Sequence, residues 1–352
     1  MIQPSLPLPI RLCNISFGVT HPSDHINNCL DNPLKKSSQH QHDPMSSPRY
    51  MDLATFMRAP QIKSPSDCDI AMVGIPYDGA VTNRPGARHG PREIRNSSSM
   101  MRSIHPVTRT DPYQQCRIGD GGDVPFTNVY EVEKAHKDIE DFINLFTSSG
   151  VPILAAGGDH SVTLPILRSL GKDEPLSLIH IDAHTDTWDD FLGTDYSHGA
   201  PFRRAVEEGL IDPYQTIQIG IRGAQNASVG WDYSKSVGMH VVFMEDVVEM
   251  GIPAVIQKTR EIIGSTRTYL SFDIDSIDPA FAPGTGTPEV GGFTTREALS
   301  MIRGFNGLNL VGADVVEVSP PWDTNGMTAL VGASMMYELL CLLATAHTVR
   351  SN

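Results

Sequence analysis

Short apolar segments rich in β-branched residues alternate with segments of helical period from about residue 68 to the C-terminus. Apolar runs of strand length indicate strands buried on both faces, and helices between them indicate parallel crossovers. The pattern therefore predicts a parallel sheet covered by helices. The predicted strands are 69–75, 117–120, 152–156, 176–182, 216–221, 240–244, 268–275 and 310–318. The predicted helices are 91–103, 130–148, 162–170, 199–208, 253–263, 294–303 and 328–347.

Residues 1–50 differ in composition from the rest of the chain. They are rich in Pro, Ser, Asn, His and Gln and show little periodicity, so they predict a flexible or surface-draped extension. Its histidines His25, His40 and His42 are interpreted as part of this polar composition, with metal binding as the alternative. Residues 51–352 are predicted to form the folded domain, and 40% hydrophobic residues suffice for one large core.

Composition also narrows the partners and the compartment. The net charge is −14 without a basic cluster, so nucleic acid is not an expected partner. No run of about 18 apolar residues is evident, so we expect no membrane span. The five cysteines are scattered and form no CxxC pair, which is typical of reduced thiols in a cytoplasmic protein. They are Cys13, Cys29, Cys68, Cys116 and Cys341.

Polar segments follow three of the predicted strands directly, at 157–161, 182–186 and 273–275. Parallel sheets bind ligands beyond the carboxyl ends of their strands. Alternation in extended backbone sends residues two apart to the same side of the strand. Six side chains can therefore converge on one crevice: His160, Asp182, His184, Asp186, Asp273 and Asp275.

Such a set of four carboxylates and two imidazoles predicts a metal centre. Carboxylates gathered beside a buried sheet repel one another unless cations neutralise them, and four carboxylates match the charge of two divalent ions. Oxygen-rich ligation without thiolate suits Mn²⁺, with Ni²⁺ or Co²⁺ as alternatives, rather than structural zinc. A lone Asp-x-His or Asp-x-Asp pair is common where Asp caps a helix, but three such segments at strand ends favour metal binding.

Longer motifs resemble the ureohydrolase family of arginases and agmatinases. They are GGDHS (157–161), DAHTDT (182–187), SFDIDSIDPAFAPGTGTPEVGG (271–292) and DVVEVSPPWD (314–323). The resemblance covers roughly residues 52–348 and is closest to the agmatinase branch, which includes guanidinobutyrase and guanidinopropionase. HGAPFRRAVEEGLIDP (198–213), QIGIRG (218–223) and NRPGARHGPREIR (83–95) support that branch. The resemblance implies an arginase-like three-layer α/β/α sandwich with an eight-stranded parallel sheet, which makes residues 51–352 a ureohydrolase catalytic domain.

The resemblance also implies the roles of the ligands. His160 and Asp186 would be terminal ligands of one ion, and His184 and Asp275 would be terminal ligands of the other. Asp182 and Asp273 would bridge both ions. A hydroxide bridging the two ions would attack the guanidinium carbon. Asp186 would also accept a hydrogen bond from this hydroxide.

Two further residues receive catalytic roles from the resemblance and from chemical need. Glu317, between two valines at the end of the last predicted strand, would receive the guanidinium as a two-oxygen acceptor. His198 matches the proton-shuttling histidine of the family, and its ordinary pKa suits that role. Without a catalytic role, Glu317 would be a helix-capping or surface residue, and His198 would be an ordinary loop residue.

Other polar residues have less defined interpretations. His180 and His240 lie inside predicted strands and are interpreted as histidines of the core or of the metal surroundings. Three residues of one loop could either line the crevice or have a structural role, and the sequence does not decide between the two. They are His89, Asp78 and Asn83.

The far end of the substrate should decide specificity, because the guanidinium end is common to the family. The loop 187–196 offers aromatic residues (Trp188, Phe191 and Tyr196) but no basic side chain, so free arginine is not expected. Its acidic residues could pair with the ammonium of agmatine: Asp189, Asp190 and Asp195. A guanidino acid would need an arginine from elsewhere to pair with its carboxylate. The candidates are Arg84, Arg88 and Arg222, and the alternative for all three is a structural ion pair with a neighbouring carboxylate.

We therefore predict a two-metal hydrolase that releases urea and an amine from a small guanidino compound. The resemblance of HGAPFRRAVEEG (198–209) and VEVSPPWD (316–323) to the guanidino-acid hydrolases implies 4-guanidinobutyrate or 3-guanidinopropionate rather than agmatine. Alternatives are hydrolysis of another amidine (guanidine, a formimidoyl amino acid or a biguanide), a one-zinc deacetylase on the same fold, and a non-catalytic metal-binding regulatory subunit. We expect a homo-oligomer, a trimer or hexamer, with a heteromer of homologous subunits as the alternative.

Overall fold

The computed structural model describes residues 47–225 and 229–351. The predicted extension 1–50 lies outside these residues except for its last four positions, and so do His25, His40 and His42. The first strand of the sheet begins at Ile70.

Eight strands form one parallel sheet in the order β2-β1-β3-β8-β7-β4-β5-β6. They are β1 (Ile70–Gly74), β2 (Ile118–Asp123), β3 (Ile153–Ala156), β4 (Leu176–Ile181), β5 (Ile211–Ile221), β6 (His240–Phe243), β7 (Thr268–Asp273) and β8 (Leu310–Val316). The predicted eight-stranded parallel sheet is confirmed. The largest difference is at β5, which begins at Ile211 rather than at 216. Its first residues include the polar sequence Asp212-Pro213, which does not resemble a buried strand.

The helices in the described ranges are α1 (Gly90–Ser98), α2 (Pro112–Gln115), α3 (Val132–Thr147), α4 (Thr163–Gly171), α5 (Pro201–Glu207), α6 (Val229–Val237), α7 (Met244–Met250), α8 (Ile252–Ile263), α9 (Thr295–Gly304) and α10 (Met327–Ser351). All seven predicted helices overlap one of them. The sequence analysis missed α2, α6 and α7, which are short and bury few apolar side chains. Helix α1 ends at Ser98 rather than at 103.

Helices cover both faces of the sheet, so the predicted three-layer sandwich is confirmed. Alternate strand residues enter two separate cores: Ile70 and Met72 pack into one, Ala71 and Val73 into the other. The first core also contains buried side chains of α1, α8, α9 and α10, and the second contains those of α3, α4 and α5.

Helix α10 has an apolar composition that the sequence analysis underestimated. The segment Met327–Arg350 has the length and apolar composition of a helix that could cross a membrane, with a mean hydropathy of 1.7 over its most apolar 18 residues. However, 83% of this 18-residue stretch is buried inside the protein, where α10 packs against α1 and β8. Its apolar residues therefore belong to the core.

The four central strands β3, β8, β7 and β4 are adjacent, and their carboxyl ends meet at one edge of the sheet. The chain after β3 approaches a neighbouring loop so closely that a Cβ at Gly158 would lie 1.6 Å from the carbonyl oxygen of Tyr77. Only glycine permits this approach, which brings the segment 157–161 against the loop after β1.

Candidate active site

The structure gathers the six predicted metal ligands at the carboxyl ends of β3, β4 and β7. Around His160, which is fully buried, Nδ1 lies 3.1 Å from Asp182 Oδ2, 2.9 Å from Asp186 Oδ2 and 3.1 Å from Asp273 Oδ2. One imidazole nitrogen therefore faces three carboxylates that come from two different strands.

A second group adjoins the first. His184 Nδ1 lies 3.1 Å from Asp275 Oδ2 and 3.5 Å from Asp182 Oδ1. The carboxylate of Asp182 thus contacts His160 through one oxygen and His184 through the other. A carboxylate shared in this way is suited to bridge two ions.

Hydrogen bonds fix which nitrogen of His160 is available as a ligand. Its Nε2 lies 2.8 Å from Ser271 Oγ, whose hydroxyl donates to Asp314 Oδ1 at 2.6 Å. Because the serine proton is used on Asp314, Nε2 of His160 carries a hydrogen, which leaves Nδ1 as the nitrogen that can bind a metal ion. This buried Nδ1 faces the carboxylates without a well-aligned hydrogen bond to any described residue, as expected of a metal ligand whose other nitrogen is held by supporting residues.

Main-chain N–H groups orient the two candidate bridging carboxylates. His184 N–H donates to Asp182 Oδ1, and Asp275 N–H donates to Asp273 Oδ1, each at 2.7 Å. His180 Nε2 lies 2.7 Å from Asp182 Oδ2, so this histidine borders the cluster, in agreement with its interpretation as part of the metal surroundings. It also lies close enough to the cluster to be a possible ligand itself.

The cluster is electrostatically strained without cations. Burial and the charges of Asp275 and Asp182 raise the pKa of Asp273 well above its ordinary value. Burial alone would lower the pKa of His160, but its contacts with Asp182, Asp186 and Asp273 raise this pKa well above the ordinary value. A donor set of this kind fits two divalent cations, which relieve the repulsion between the carboxylates.

Two residues of the site adopt backbone angles that are rare outside glycine. Asp186 has φ 49° and Glu317 has φ 62°. Left-handed backbone costs about 1–3 kcal/mol at such positions and persists where the surrounding structure enforces it. Both residues follow a central strand and line the cavity, so the left-handed backbone occurs where the carboxylates enter the site.

Glu317 offers one carboxylate oxygen to the protein and keeps the other free. Its Oε1 accepts the main-chain N–H of His160 at 2.9 Å and lies 2.9 Å from His198 Nδ1. Its Oε2 is buried and has no hydrogen-bond partner in the described part of the chain. An unpaired buried carboxylate oxygen is costly, so it points to a cationic or hydrogen-bond-donating ligand.

A cavity of about 470 Å³ opens over these residues. Its lining combines ligands, the pair of Glu317 and His198, and side chains from four loops: Thr82, Asn83, Arg84, His184, Asp186, Trp188, Phe191, Ser197, His198, Gly199, Ala224, Asp273, Asp275, Thr287, Pro288, Glu289 and Glu317. Its volume suits a small molecule.

Of the three arginines considered for a substrate carboxylate, one lines this cavity. The guanidinium of Arg84 lies 4.7 Å from the ring centre of Trp322, and no carboxylate in the described ranges pairs with it. Arg88 forms an ion pair with buried Asp78. Arg222 donates to main-chain carbonyl oxygens, including those of residues 275 and 289 at 2.7 Å, so its role is structural.

The acidic residues of the loop 187–196 do not lie where agmatine would need them. Asp189 forms ion pairs with Arg203 and Arg204 at 2.7 and 2.8 Å, and Asp195 lies 3.4 Å from Arg204. Asp190 accepts the N–H of residue 193 at 3.4 Å. None of these carboxylates lines the cavity, because arginines of α5 draw two of them to the surface.

The remaining polar residues considered from the sequence differ in whether they lie at the cavity. The interpretation of His240 as a core residue is wrong, because β6 is an edge strand and the side chain is exposed. His89 is exposed and lies outside the cavity lining, whereas Asn83 lines the cavity and donates to Gly286 O at 3.2 Å. Asp78 is structural, since it accepts the N–H of residue 86 at 2.6 Å.

The sequence analysis missed several residues that support the site. Ser271 and Asp314 orient His160, and both are polar residues within otherwise apolar strands, which was the available signal. Asp159 accepts the hydroxyl of Ser161 at 2.5 Å and the N–H of residue 80 at 2.9 Å, and burial followed by the charge of Glu317 raises its pKa to about 7. Thr82 was not singled out, although its neighbours Asn83 and Arg84 were.

Comparisons with known proteins agree with this geometry. The profile of the Arginase family matches residues 68–342. Guanidinopropionase from Pseudomonas aeruginosa is 51% identical over 303 residues, covering 86% of this chain and 95% of that protein. Guanidinobutyrase from the same organism is 43% identical, covering 86% and 97%. The structure of proclavaminate amidinohydrolase from Streptomyces clavuligerus superimposes with a TM-score of 0.82 at 38% identity, covering 85% of this chain and 100% of that one.

Proposed function

Because this chain belongs to the arginase family, whose relatives above are hydrolases, we propose that it hydrolyses a guanidino acid to urea and an amino acid. The observation that carries the proposal is the buried Oε2 of Glu317, which lies at the cavity beside the candidate ligand cluster and has no hydrogen-bond partner among residues 47–225 and 229–351. We propose 3-guanidinopropionate or 4-guanidinobutyrate as substrate.

Glu317 supports a cationic substrate. Its Oε1 is held by His160 N–H and His198, so Oε2 is the atom available to a guanidinium N–H. A hydrogen bond between charged groups contributes about 1.5–3 kcal/mol. The neutral amide of a deacetylase substrate would offer Oε2 no charged donor, which disfavours the deacetylase alternative.

The ligand set favours two metal ions. When bound, two divalent cations supply charge neutralisation and activate water at neutral pH. We propose Mn²⁺ as the ion, with Ni²⁺ or Co²⁺ as alternatives, because oxygen ligands dominate and no thiolate is present in the cluster. The ligands would be His160, Asp182, His184, Asp186, Asp273 and Asp275.

His198 supports the departure of the amine. The leaving nitrogen must gain a proton, and His198 lines the cavity with Nδ1 anchored on Glu317. Burial alone would lower the pKa of His198, but the charge of Glu317 raises this pKa to about 9, so the ring holds a proton at neutral pH. Asp186 faces the same space and can orient the attacking water.

The far end of the cavity supports an acid rather than an amine. Arg84 is a lining cation without a carboxylate partner among the described residues, which is suited to a substrate carboxylate. The lining acid Glu289 lies 3.7 Å from His184 Nε2 and is thus already engaged. The aromatic lining by Trp188 and Phe191 also supports the second candidate, a larger and less polar guanidine or biguanide.

The test is urea release by the enzyme loaded separately with Mn²⁺ and Ni²⁺. The panel contains both guanidino acids, agmatine, guanidine, arginine and an alkyl biguanide, with metal-free enzyme as the blank. We expect kcat/KM to be highest for a guanidino acid and lowest for arginine. Arginine as the best substrate would contradict the proposal, and so would an absence of urea from every compound at full metal loading.

Assembly and location stay predictions. We propose a cytoplasmic homo-oligomer, a trimer or hexamer, and light scattering of the purified protein would measure its mass. Co-purification of a homologous chain would instead indicate the heteromer.

A further inference from the structure

Both ring nitrogens of His198 are engaged by the protein. Nδ1 lies 2.9 Å from Glu317 Oε1. Nε2 lies 2.7 Å from the hydroxyl of Thr82 and 3.2 Å from the main-chain N–H of the same residue. The carboxylate of Glu317 only accepts hydrogen bonds, so it holds a hydrogen on Nδ1, and Nε2 is the atom whose proton can exchange.

The main-chain N–H and the hydroxyl of Thr82 differ in which protonation states of His198 they can accommodate. A main-chain N–H can only donate, so it favours Nε2 without a hydrogen, in the neutral ring. The charged ring is favoured by the carboxylate of Glu317, whose Oε1 lies 2.9 Å from Nδ1. A hydroxyl can donate to a bare Nε2 and accept from a protonated one. The hydroxyl of Thr82 is therefore the partner that fits both states.

The position of Thr82 connects this nitrogen with the cavity. The residue is exposed and lines the cavity, whereas His198 has only 8% of its surface exposed. The loop that carries Thr82 is held against the site by two hydrogen bonds of its residue 80. Residue 80 donates its N–H to Asp159 Oδ2 at 2.9 Å and accepts the N–H of His198 at 3.0 Å.

We propose that the hydroxyl of Thr82 relays the proton between His198 and the leaving amine, an inference that rests on the proposed function. The Nε2–H bond of His198 breaks as a new O–H bond forms on Thr82. The original hydroxyl proton of Thr82 passes to the amine nitrogen, which takes the electron pair of the breaking C–N bond. His198 becomes neutral, and Thr82 ends with one proton as it began.

The test compares Thr82→Val, which keeps the shape without the hydroxyl, with Thr82→Ser, which keeps the hydroxyl. The control is Thr348→Val, whose hydroxyl donates to the carbonyl oxygen of residue 344 within α10, away from the cavity. The measurements are kcat and KM for the best substrate, the pH profile, the solvent isotope effect on kcat, metal content and thermal stability.

Thr82→Val should lose roughly 10–100-fold in kcat with unchanged KM, metal content and stability, since positioned proton transfer contributes about 10²–10⁴-fold. In mixtures of H₂O and D₂O, the dependence of kcat on the deuterium fraction should indicate one fewer transferred proton for Thr82→Val than for the wild type. Thr82→Ser should restore most of the rate. Adding Thr82→Val to His198→Asn should cause no further loss, because both act in one path.

Wild-type kcat in Thr82→Val would overturn the relay, and so would a Thr82→Ser variant as slow as Thr82→Val. A wild-type enzyme that releases urea while Thr82→Val behaves normally refutes the relay alone. A wild-type enzyme that releases no urea from any guanidino compound refutes the proposed function instead.

Discussion

His198 Nδ1 lies 2.9 Å from Glu317 Oε1, and the same oxygen accepts the main-chain N–H of His160. One carboxylate oxygen thus connects the candidate proton donor with the segment that carries a candidate metal ligand. The other oxygen of Glu317 is buried without a hydrogen-bond partner in the described part of the chain, so it could receive a substrate. In the proposed reaction, this single side chain would fix the guanidinium position relative to both the metal ligands and the proton donor.

Replacing Glu317 with glutamine should separate substrate binding from metal binding. Glu317→Gln removes the charge that faces the guanidinium but leaves all six ligands in place, so two metal ions should still bind. We expect kcat/KM to fall at least roughly 10–100-fold, since hydrogen bonds to charged groups contribute about 1.5–3 kcal/mol. Metal analysis and urea release measure the two effects. Loss of both ions together with activity would show instead that Glu317 supports the cluster.

The pH dependence of His198 follows from its raised pKa. The charge of Glu317 outweighs burial and raises this pKa from 6.5 to about 9 in the metal-free protein, and bound cations should move it below that value. Because the protonated ring is the donor, kcat should fall as pH rises through the pKa. His198→Asn should lower kcat more than it raises KM and should remove this basic limb. An unchanged limb would assign it to another group.

The same pKa predicts a change in stability. A pKa that is raised on folding contributes stability that is complete below pH 6.5 and is lost as pH rises through 9. The difference in unfolding free energy between metal-free wild type and His198→Asn should therefore shrink over this interval. Denaturant titrations at several pH values measure it, and a difference independent of pH would contradict the charged pair.

Arg84 should discriminate acids from other guanidines. Arg84→Met removes the cavity cation and should raise KM for 3-guanidinopropionate roughly 10-fold or more, while guanidine should be hydrolysed as before. Arg102→Met is a matched control, because Arg102 is exposed and lies outside the cavity lining. An equal loss for both substrates would show that Arg84 acts on the cavity as a whole.

The sequence predicted the sheet well because β-branched runs such as Leu178–Ile181 mark strands buried on both faces, and polar residues at their ends mark the ligand side. It could not show that Asp189 belongs to a surface ion pair with Arg203 and Arg204, since that depends on where α5 packs. The edge position of β6, which exposes His240, depends on strand order in the same way.

The supporting contacts of the site were also beyond the sequence. Thr82 and His198 are 116 positions apart, and only the close approach of two loops brings the hydroxyl to Nε2. The orientation of His160 depends on Ser271 and Asp314, which come from two adjacent strands. Such pairs follow from tertiary packing, whereas the candidate ligands themselves follow from local motifs.

Metal titration of the metal-free enzyme tests the central claim most directly. Metal content per subunit and urea release from the best guanidino acid are followed as Mn²⁺ is added. We expect two ions per subunit, a rise in thermal stability, and turnover only once both are bound. Asp182→Ala and Asp273→Ala should bind fewer ions and lose turnover, whereas Asp189→Ala, which removes a surface ion pair, should behave as wild type. Full turnover with one ion, or two ions in either bridging variant, would contradict the account.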